Sequence, residues 1–380
     1  MSDLELSAAA TSLPYREGMS LRLQVLRSFG DWPFSGQSIL SKTLIAGIYS
    51  VTRSSVLNFV LFGNAESGSR PPLQAVLKLY DRRFGTRLRD YRYRHVPHTA
   101  EREAAYHSFV RQGKMGAFLR ELDEKEKETN LIMPAWHFLD DCGPENSENS
   151  AKYEAIMWRE CESNFNRETE AYERLKDVQG TTIPRMYAHV RLVLQDPDMP
   201  QDLLGSPDTA RYFEVKGVLL QFIPGHTLSQ LHTSPLALLE PEKWQAIIQA
   251  AVDAVHEIDK RGVLNMSVAP HNVVVNSRTQ TPYIVDFGNC DFKDRMIKLW
   301  KESGRMDDDD DEEIEYWERV VTQNNGQAIG GAMAARLQRA HGVKLDIKYP
   351  DCAMILKDLK RSRGVESDED SDSGWKIMHF

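Results

Sequence analysis

Short apolar runs rich in β-branched residues dominate the first half of the chain, a pattern typical of antiparallel strands. From Leu40, two such runs are separated by the polar residues Thr52–Ser55, which predicts a β-hairpin. The run LQAVLKLYD predicts a third strand with Lys78 near its end. The runs TTIPRMYAHVRLVLQ and YFEVKGVLLQFI predict two more strands. We therefore expect a five-stranded antiparallel sheet, preceded by an irregular segment over residues 1–38.

Helical periodicity appears in the charged stretch from Glu101 to Glu128 and again over residues 151–178. The second of these helices is amphipathic, and four residues share one of its faces: Phe165, Glu168, Tyr172 and Leu175. A further helix is predicted over PEKWQAIIQAAVDAVHEID, with Pro241 near its start and Gly262 just past its end. The pattern thus predicts an α+β fold that changes from strands to helices along the chain.

The elements divide the chain into two lobes with flanking segments. After the irregular residues 1–38, residues 39–221 form a lobe built on the five-stranded sheet, with a helical, arginine-rich insert over residues 81–150. Residues 222–360 form a mainly helical lobe, and residues 361–380 form an acidic tail. A run of seven acids, Asp307–Glu313, is expected to be a disordered or solvated loop within the helical lobe.

Composition narrows the class of protein. With 41% hydrophobic and 27% charged residues, the chain has the composition of an ordinary globular protein. Its net charge of −9 disfavours nucleic acid as a general partner. The four cysteines contain no CxxC pair, which fits a reducing compartment. Neither a secretory signal nor a membrane-spanning apolar stretch is visible, so we expect a cytoplasmic or nuclear protein without a membrane partner.

Six arginines lie between Arg82 and Arg94, interleaved with Tyr91 and Tyr93. Such a cluster can contact nucleic acid or a phosphorylated partner. A solvated insert that faces the acidic remainder of the molecule is the simpler interpretation, and it is the one we expect.

The segment LNMSVAPHNVVVNSRTQTPYIVDFG carries the candidate chemistry. Asp286 begins a DFG turn at the end of an apolar run, and Asn272 stands fourteen residues before it. Together with Lys78 on the third strand, Glu168 on the helix that follows and the strand-to-linker passage VLLQFIPGHTL, this ordered set resembles the protein-kinase-like superfamily. The resemblance is to its aminoglycoside- and choline-kinase-like branch and to fungal protein-kinase-like proteins. It implies a bilobal α+β fold with a five-stranded antiparallel N-lobe and a mainly helical C-lobe.

The resemblance also implies roles for individual residues. Lys78 would neutralise the phosphates of ATP and Glu168 would hold it in place, with Glu170 as a competing candidate. Asp286 and Asn272 would bind Mg²⁺ through oxygen atoms. The adenine edge would meet the backbone of the linker residues Gln221, Phe222 and Ile223. A lysine kept for solubility at a sheet edge and an Asp-led turn after a strand are the alternatives for Lys78 and Asp286.

The phosphate-binding loop departs from the common pattern. The segment GIYSVTRSSV has the single glycine Gly47 and no G-x-G-x-x-G motif. Backbone amides of Thr52–Ser55 could still cradle a phosphate, as in the aminoglycoside-kinase branch.

A second departure is at Ser267, five residues before Asn272, where related active enzymes have the catalytic aspartate. A serine hydroxyl is neutral and does not act as a base unless another group, such as His271 or Asp291, deprotonates it. The sequence therefore predicts a pseudokinase that binds ATP and Mg²⁺ and acts as a scaffold or regulator, with a protein partner. Two alternatives stay open: a weakly active phosphotransferase on a protein or small-molecule hydroxyl, and an interaction module that binds no nucleotide.

Overall fold

The computed structural model describes residues 15–30, 43–53, 56–62, 73–84, 89–91, 94–129, 146–193 and 201–364. The chain forms two compact units. The first comprises Met1–Gly225, Val274–Thr279 and Tyr283–Cys290, and the second comprises His226–Val273, Gln280–Pro282 and Asp291–Phe380. The lobe boundaries predicted from the sequence stay a prediction.

The first unit contains an antiparallel sheet that closes on itself in the order β1-β2-β3-β4-β8-β7. Its strands are β1 (Ser20–Ser28), β2 (Thr43–Arg53), β3 (Val56–Phe62), β4 (Leu73–Tyr80), β7 (Met186–Leu192) and β8 (Val215–Gln221). A separate two-stranded hairpin consists of β5 (Asp90–Tyr91) and β6 (Arg94–His95). The five predicted strands are β2, β3, β4, β7 and β8, so the antiparallel sheet is confirmed.

Strand β1 corrects the expectation that residues 1–38 are irregular. Leu21, Leu23 and Val25 are buried, whereas Arg22 is exposed and Gln24 is half-buried, so the segment has the two-residue period of a strand. The strand pairs with β2 on one side and with β7 on the other. Its inward side chains join the core of the barrel, whose other members include Ala46, Ile48, Ala75, Leu77, Leu79, Ala188, Val190 and Leu219.

The helices of the first unit are α1 (Ala100–Arg111), α2 (Lys114–Thr129), α3 (Ser147–Arg174) and the single turns α4 (Gln201–Leu204) and α5 (Pro207–Ala210). The charged stretch predicted as helical is thus confirmed, but it is two helices. The chain breaks between them at Gly113, whose φ of 70° is left-handed and favours glycine. Thr99 caps α1 by accepting from the Arg102 amide, and Asn146 caps α3 by accepting from the Asn149 amide.

Two arginines of the insert are buried, which corrects the expectation of a solvated cluster. Arg82 and Arg89 are 8% and 1% exposed, and both donate to the fully buried carboxylate of Glu154 on α3. Arg82 also donates to Glu103 on α1, at 2.5 and 2.7 Å. These guanidinium groups therefore attach the start of the insert to α1 and α3. Of the six arginines, Arg87 and Arg92 lie outside the described residues.

The second unit is mainly helical, as predicted. Its helices are α6 (Pro241–Asp259), α7 (Lys293–Glu302), α8 (Glu312–Gln323), α9 (Asn325–His341) and α10 (Cys352–Ser362). Together with the sheet of the first unit, they confirm the α+β fold class. No helix within the described ranges has both the length and the hydrophobicity that crossing a membrane requires.

The acidic run is not wholly a loop. Asp311 caps α8 by accepting from the amides of Glu313 and Ile314, and the last two acids of the run form the first turn of that helix. Acidic side chains at this end interact favourably with the helix dipole. Of the predicted acidic tail, residues 361–362 end α10, residues 363–364 follow it, and the remainder lies outside the described residues.

Short strands run through residues 225–292: β9 (Gly225–Thr227), β10 (Val263–Asn265), β11 (Val273–Asn276), β12 (Pro282–Ile284) and β13 (Cys290–Phe292). The buried residues Ile284 and Phe287 lie on either side of Asp286, where the chain turns after β12.

Candidate functional site

Lys78 lies in the middle of the sheet, because β4 pairs with β3 and β8 at this residue. Its neighbours Leu77 and Leu79 are buried in the barrel core. Successive side chains of a strand point to opposite faces, so Lys78 points to the outer face, against which α3 packs. Only 15% of its side chain is exposed. This position is unlike that of a solubility lysine at a sheet edge.

Glu168 of α3 is fully buried and meets Lys78. Its Oε2 accepts hydrogen bonds from the Lys78 Nζ and from the hydroxyl of Tyr80. The competing candidate, Glu170, pairs instead with Arg174 one turn along α3. Tyr80 was not predicted as part of the site. The available signal was its position two residues after Lys78, which places both side chains on the same face of β4.

Asp286 completes this group from a third part of the chain. Its Oδ1 lies 2.5 Å from the Lys78 Nζ. The backbone of Asp286 is left-handed, with φ of 71°, a region that aspartate visits more readily than most side chains do. The next residue, Phe287, is fully buried and packs edge-to-face on Tyr172 of α3, with ring centroids 5.6 Å apart. The aromatic contact therefore fixes the turn that presents the Asp286 carboxylate.

The Lys78, Glu168 and Asp286 group contains one ammonium and two carboxylates. Burial by itself would lower the pKa of Lys78, but the Glu168 and Asp286 carboxylates raise that pKa well above its ordinary value. Lys78 is therefore charged at every physiological pH. Burial raises the pKa of Tyr80 further from neutrality, so its hydroxyl stays a donor to Glu168. The group carries one negative charge in excess.

Two buried polar atoms beside this group have no hydrogen-bond partner among the described residues. They are the Oε1 of Glu168 and the hydroxyl oxygen of Tyr172. Buried polar atoms without partners are uncommon and costly. The Asp286 side chain, in contrast, is 34% exposed, so its carboxylate can be reached from outside.

Ser267 and Asn272 belong to the second unit and are in contact with each other. The Nδ2 of Asn272 donates to the backbone carbonyl of Ser267 at 3.0 Å. The Oδ1 of Asn265 accepts from the Ser267 amide at 2.9 Å, so asparagine side chains bind both the backbone N–H and the backbone carbonyl of Ser267. Because its Nδ2 donates to Ser267, any metal ligation by Asn272 would use its Oδ1.

The linker residue Gln221 is occupied by contacts within the first unit. Its amide donates to the Arg185 carbonyl at 2.8 Å, and its Oε1 accepts from the Arg185 amide at 3.1 Å. The Gln221 amide cannot serve a ligand unless it leaves Arg185, so a ligand edge would have to meet the Gln221 carbonyl or the backbone of Phe222 and Ile223. Residues 54–55 of the expected phosphate loop lie outside the described residues.

No protein-family model and no curated protein matches the sequence. Solved structures similar to this chain include the PknI kinase domain of Mycobacterium tuberculosis, in two variant forms, each 13% identical with 84% of both chains covered. Their TM-scores are 0.30 and 0.28. WaaP in complex with acyl carrier protein is 12% identical, with 46% of this chain and 75% of that chain covered and a TM-score of 0.24. Similarity at this level of sequence identity and TM-score does not support a function, so the function is inferred from contacts within the chain.

Proposed function

We propose that this chain is a protein-kinase-like nucleotide-binding protein that binds ATP with Mg²⁺ and whose phosphotransfer is impaired at Ser267. One observation supports this above the others: Lys78 contacts both Glu168 and Asp286, which lie 90 and 208 residues away along the chain. A lysine kept for solubility needs no such partners. A cation held by two carboxylates from different elements is the arrangement that kinases use at nucleotide phosphates.

Lys78 would supply the positive charge for the phosphates, and Glu168 would hold its ammonium in position. Tyr80 contributes a second donor to Glu168, which limits the ways in which that carboxylate can turn. The linker backbone from the Gln221 carbonyl to Ile223 would meet the adenine edge. The buried location of Glu168 makes its ion pair with Lys78 less screened by salt than a surface pair.

The oxygen atoms present fit a magnesium ion. The described part of the chain has no group of three or more His, Cys, Asp or Glu side chains arranged for a metal. Mg²⁺ does not require one, because it is usually bound by one or two carboxylates together with phosphate oxygens and water. Asp286 is accessible and belongs to a group with one negative charge in excess. The Asn272 Oδ1 stays the second ligand that the resemblance in sequence implies. The ion would neutralise charge on the phosphates.

Ser267 decides the expected activity. General-base help is worth roughly 10²–10⁴-fold, and a neutral hydroxyl does not supply it. In this proposal nucleotide binding rests on Lys78, Glu168 and Asp286 and does not depend on Ser267. We therefore propose a pseudokinase that acts as a scaffold or regulator for a protein partner.

Binding is tested by the thermal unfolding of the wild type and Lys78→Ala, with ATP and with or without Mg²⁺. We expect a magnesium-dependent stabilisation of the wild type of about 2.7 kcal/mol at ligand concentrations 100 times Kd. It should be lost in Lys78→Ala and kept in Glu170→Gln, a matched change on the same unit outside the Lys78 group. A wild type that shows no magnesium-dependent shift would refute nucleotide binding.

Turnover of labelled ATP separates a pseudokinase from a weak phosphotransferase. We expect almost none in the wild type and a gain in Ser267→Asp that disappears when Asp286→Ala is added. Wild-type turnover that Asp286→Ala abolishes would instead establish a phosphotransferase that works without the aspartate.

A further inference from the structure

The second unit contains a cavity of about 310 Å³ that plays no part in the proposed nucleotide site. It lies among α6, the α8–α9 junction and the chain that leads into α10. Its lining includes Val252, Asp259, Val320, Asn325, Tyr349 and Cys352. At about 30 Å³ per water molecule, the cavity has room for a small organic molecule of roughly ten non-hydrogen atoms.

The cavity wall carries a buried carboxylate without a counter-ion. Asp259 is 4% exposed, and no lysine, arginine or histidine in the described ranges forms an ion pair with it. Its side chain accepts one hydrogen bond, from the Asn325 Nδ2 at 3.2 Å. An isolated buried carboxylate is costly, and such groups concentrate at binding and catalytic sites.

Asn325 adds a second acceptor. It is 2% exposed, and its Oδ1 has no hydrogen-bond partner among the described residues. Because its Nδ2 donates to Asp259, the carbonyl end of Asn325 and the Asp259 carboxylate belong to one connected pair of side chains. Two acceptors, one charged and one neutral, select a ligand that brings several N–H donors and a positive charge.

The other polar groups of the lining agree with a cationic ligand. Asp351 adds a second carboxylate, and the lining has no lysine and no arginine. Burial lowers the pKa of His256, so its imidazole is neutral near pH 7. Burial and the neighbouring Asp259 raise the pKa of the Cys352 thiol, which lies 3.8 Å from the His256 Nδ1. A thiol kept protonated in this way is a poor nucleophile, so the Cys–His pair does not indicate a catalytic centre.

The remaining wall is apolar. Val252, Val320, Val321 and Pro350 line the cavity, together with the ring of Tyr349. Gly326 contributes to the open volume, because a Cβ placed there would lie 3.4 Å from Val252 and 3.6 Å from Tyr349. A hydrocarbon chain would bury its surface against these side chains.

We propose that this cavity binds a small aliphatic primary amine, whose ammonium lies at Asp259 and the Asn325 Oδ1 and whose hydrocarbon part packs against the valines and Tyr349. Binding supplies the counter-ion that Asp259 lacks and the donor that Asn325 lacks. None of the residues that line the cavity belongs to the proposed nucleotide site.

The test is calorimetric titration of the full chain at pH 8 with three matched probes: n-hexylamine, n-hexanol and hexanoate. We expect saturable binding of hexylamine at least tenfold tighter than that of hexanol, and hexanoate weaker than both. Asp259→Asn should lower the hexylamine affinity to that of hexanol. The matched control is Asp253→Asn, an exposed carboxylate on the same helix outside the cavity, which should leave all affinities unchanged.

Gly326→Leu provides a test that does not depend on Asp259. Filling the cavity should abolish binding of both hexylamine and hexanol. Equal affinities for hexylamine and hexanol in the wild type, or unchanged hexylamine binding in Asp259→Asn or in Gly326→Leu, would overturn the proposal.

Discussion

Asp259→Asn should change how the stability of the second unit depends on pH. Burial raises the pKa of the Asp259 carboxyl from its ordinary value of 3.8 to about 7, against a smaller lowering by the Asn325 hydrogen bond. Between these two values the folded state holds a proton that the unfolded state has released. The stability associated with this proton is complete below about pH 4 and is lost as the pH rises to about 7.

The size of the expected change in stability follows from the interval between these two pKa values. Each pH unit within it changes the free energy of unfolding by about 1.4 kcal/mol, so the whole window amounts to about 4 kcal/mol. From pH 5 to pH 8 the wild type should lose about 3 kcal/mol relative to Asp259→Asn. The asparagine has almost the same shape as the aspartate and can still accept from Asn325, so the difference reports the charge.

Urea unfolding at pH 5, 6, 7 and 8, followed by circular dichroism, measures this difference. Other groups titrate equally in both proteins and cancel when the two curves are subtracted. Asp253→Asn should give a curve parallel to that of the wild type. If the gap between the wild type and Asp259→Asn stays constant from pH 5 to pH 8, burial does not raise the pKa of the Asp259 carboxyl and this prediction is refuted.

Two further predictions concern the first unit, and urea unfolding checks both. Glu154→Gln should lower the free energy of unfolding by about 3–5 kcal/mol, because it leaves two buried arginines without their shared carboxylate. Glu148→Gln, at an exposed ion pair on the same helix, should change stability by less than about 0.5 kcal/mol. Equal losses in the two variants would contradict the role of Glu154 as the shared partner of the buried arginines. Gly225→Ala should cost more than about 2 kcal/mol, because its Cβ would lie 1.9 Å from the Val275 carbonyl oxygen. Gly116→Ala, inside α2, places a Cβ in ordinary contact with the Arg120 side chain, 3.5 Å from its Nη1, and should be neutral or stabilising by up to about 1 kcal/mol. A larger loss there than at Gly225 would refute the reasoning.

The local pattern of hydrophobic and polar residues predicts most of the strands and helices. The strands around Lys78 and the helix that carries Glu168 follow from side-chain periods of two and of 3.6 residues, which are properties of short windows of sequence. The choice of Glu168 over Glu170 as the partner of Lys78 also follows from the helical face, and the structure places Glu168 there. Their role at a nucleotide stays a prediction.

What could not be predicted depends on contacts between distant segments. Strand β1 has the right alternation over only five residues, and its neighbours β2 and β7 are known only once the sheet has closed. The burial of Arg89 depends on Glu154, 65 residues later. The carboxylate of Asp259 looks like any helical aspartate until Asn325 and the start of α10 enclose it.

The closed order of the six-stranded sheet has a practical consequence for producing the protein. Ser20–Ser28 covers the backbone hydrogen-bonding groups of β2 on one side and of β7 on the other. A truncated chain that begins after residue 30 would leave β2 and β7 each with one unpaired edge. Unpaired strand edges pair with strands of other molecules and cause aggregation. This truncation should therefore yield insoluble protein, even though it leaves Lys78, Glu168 and Asp286 unchanged.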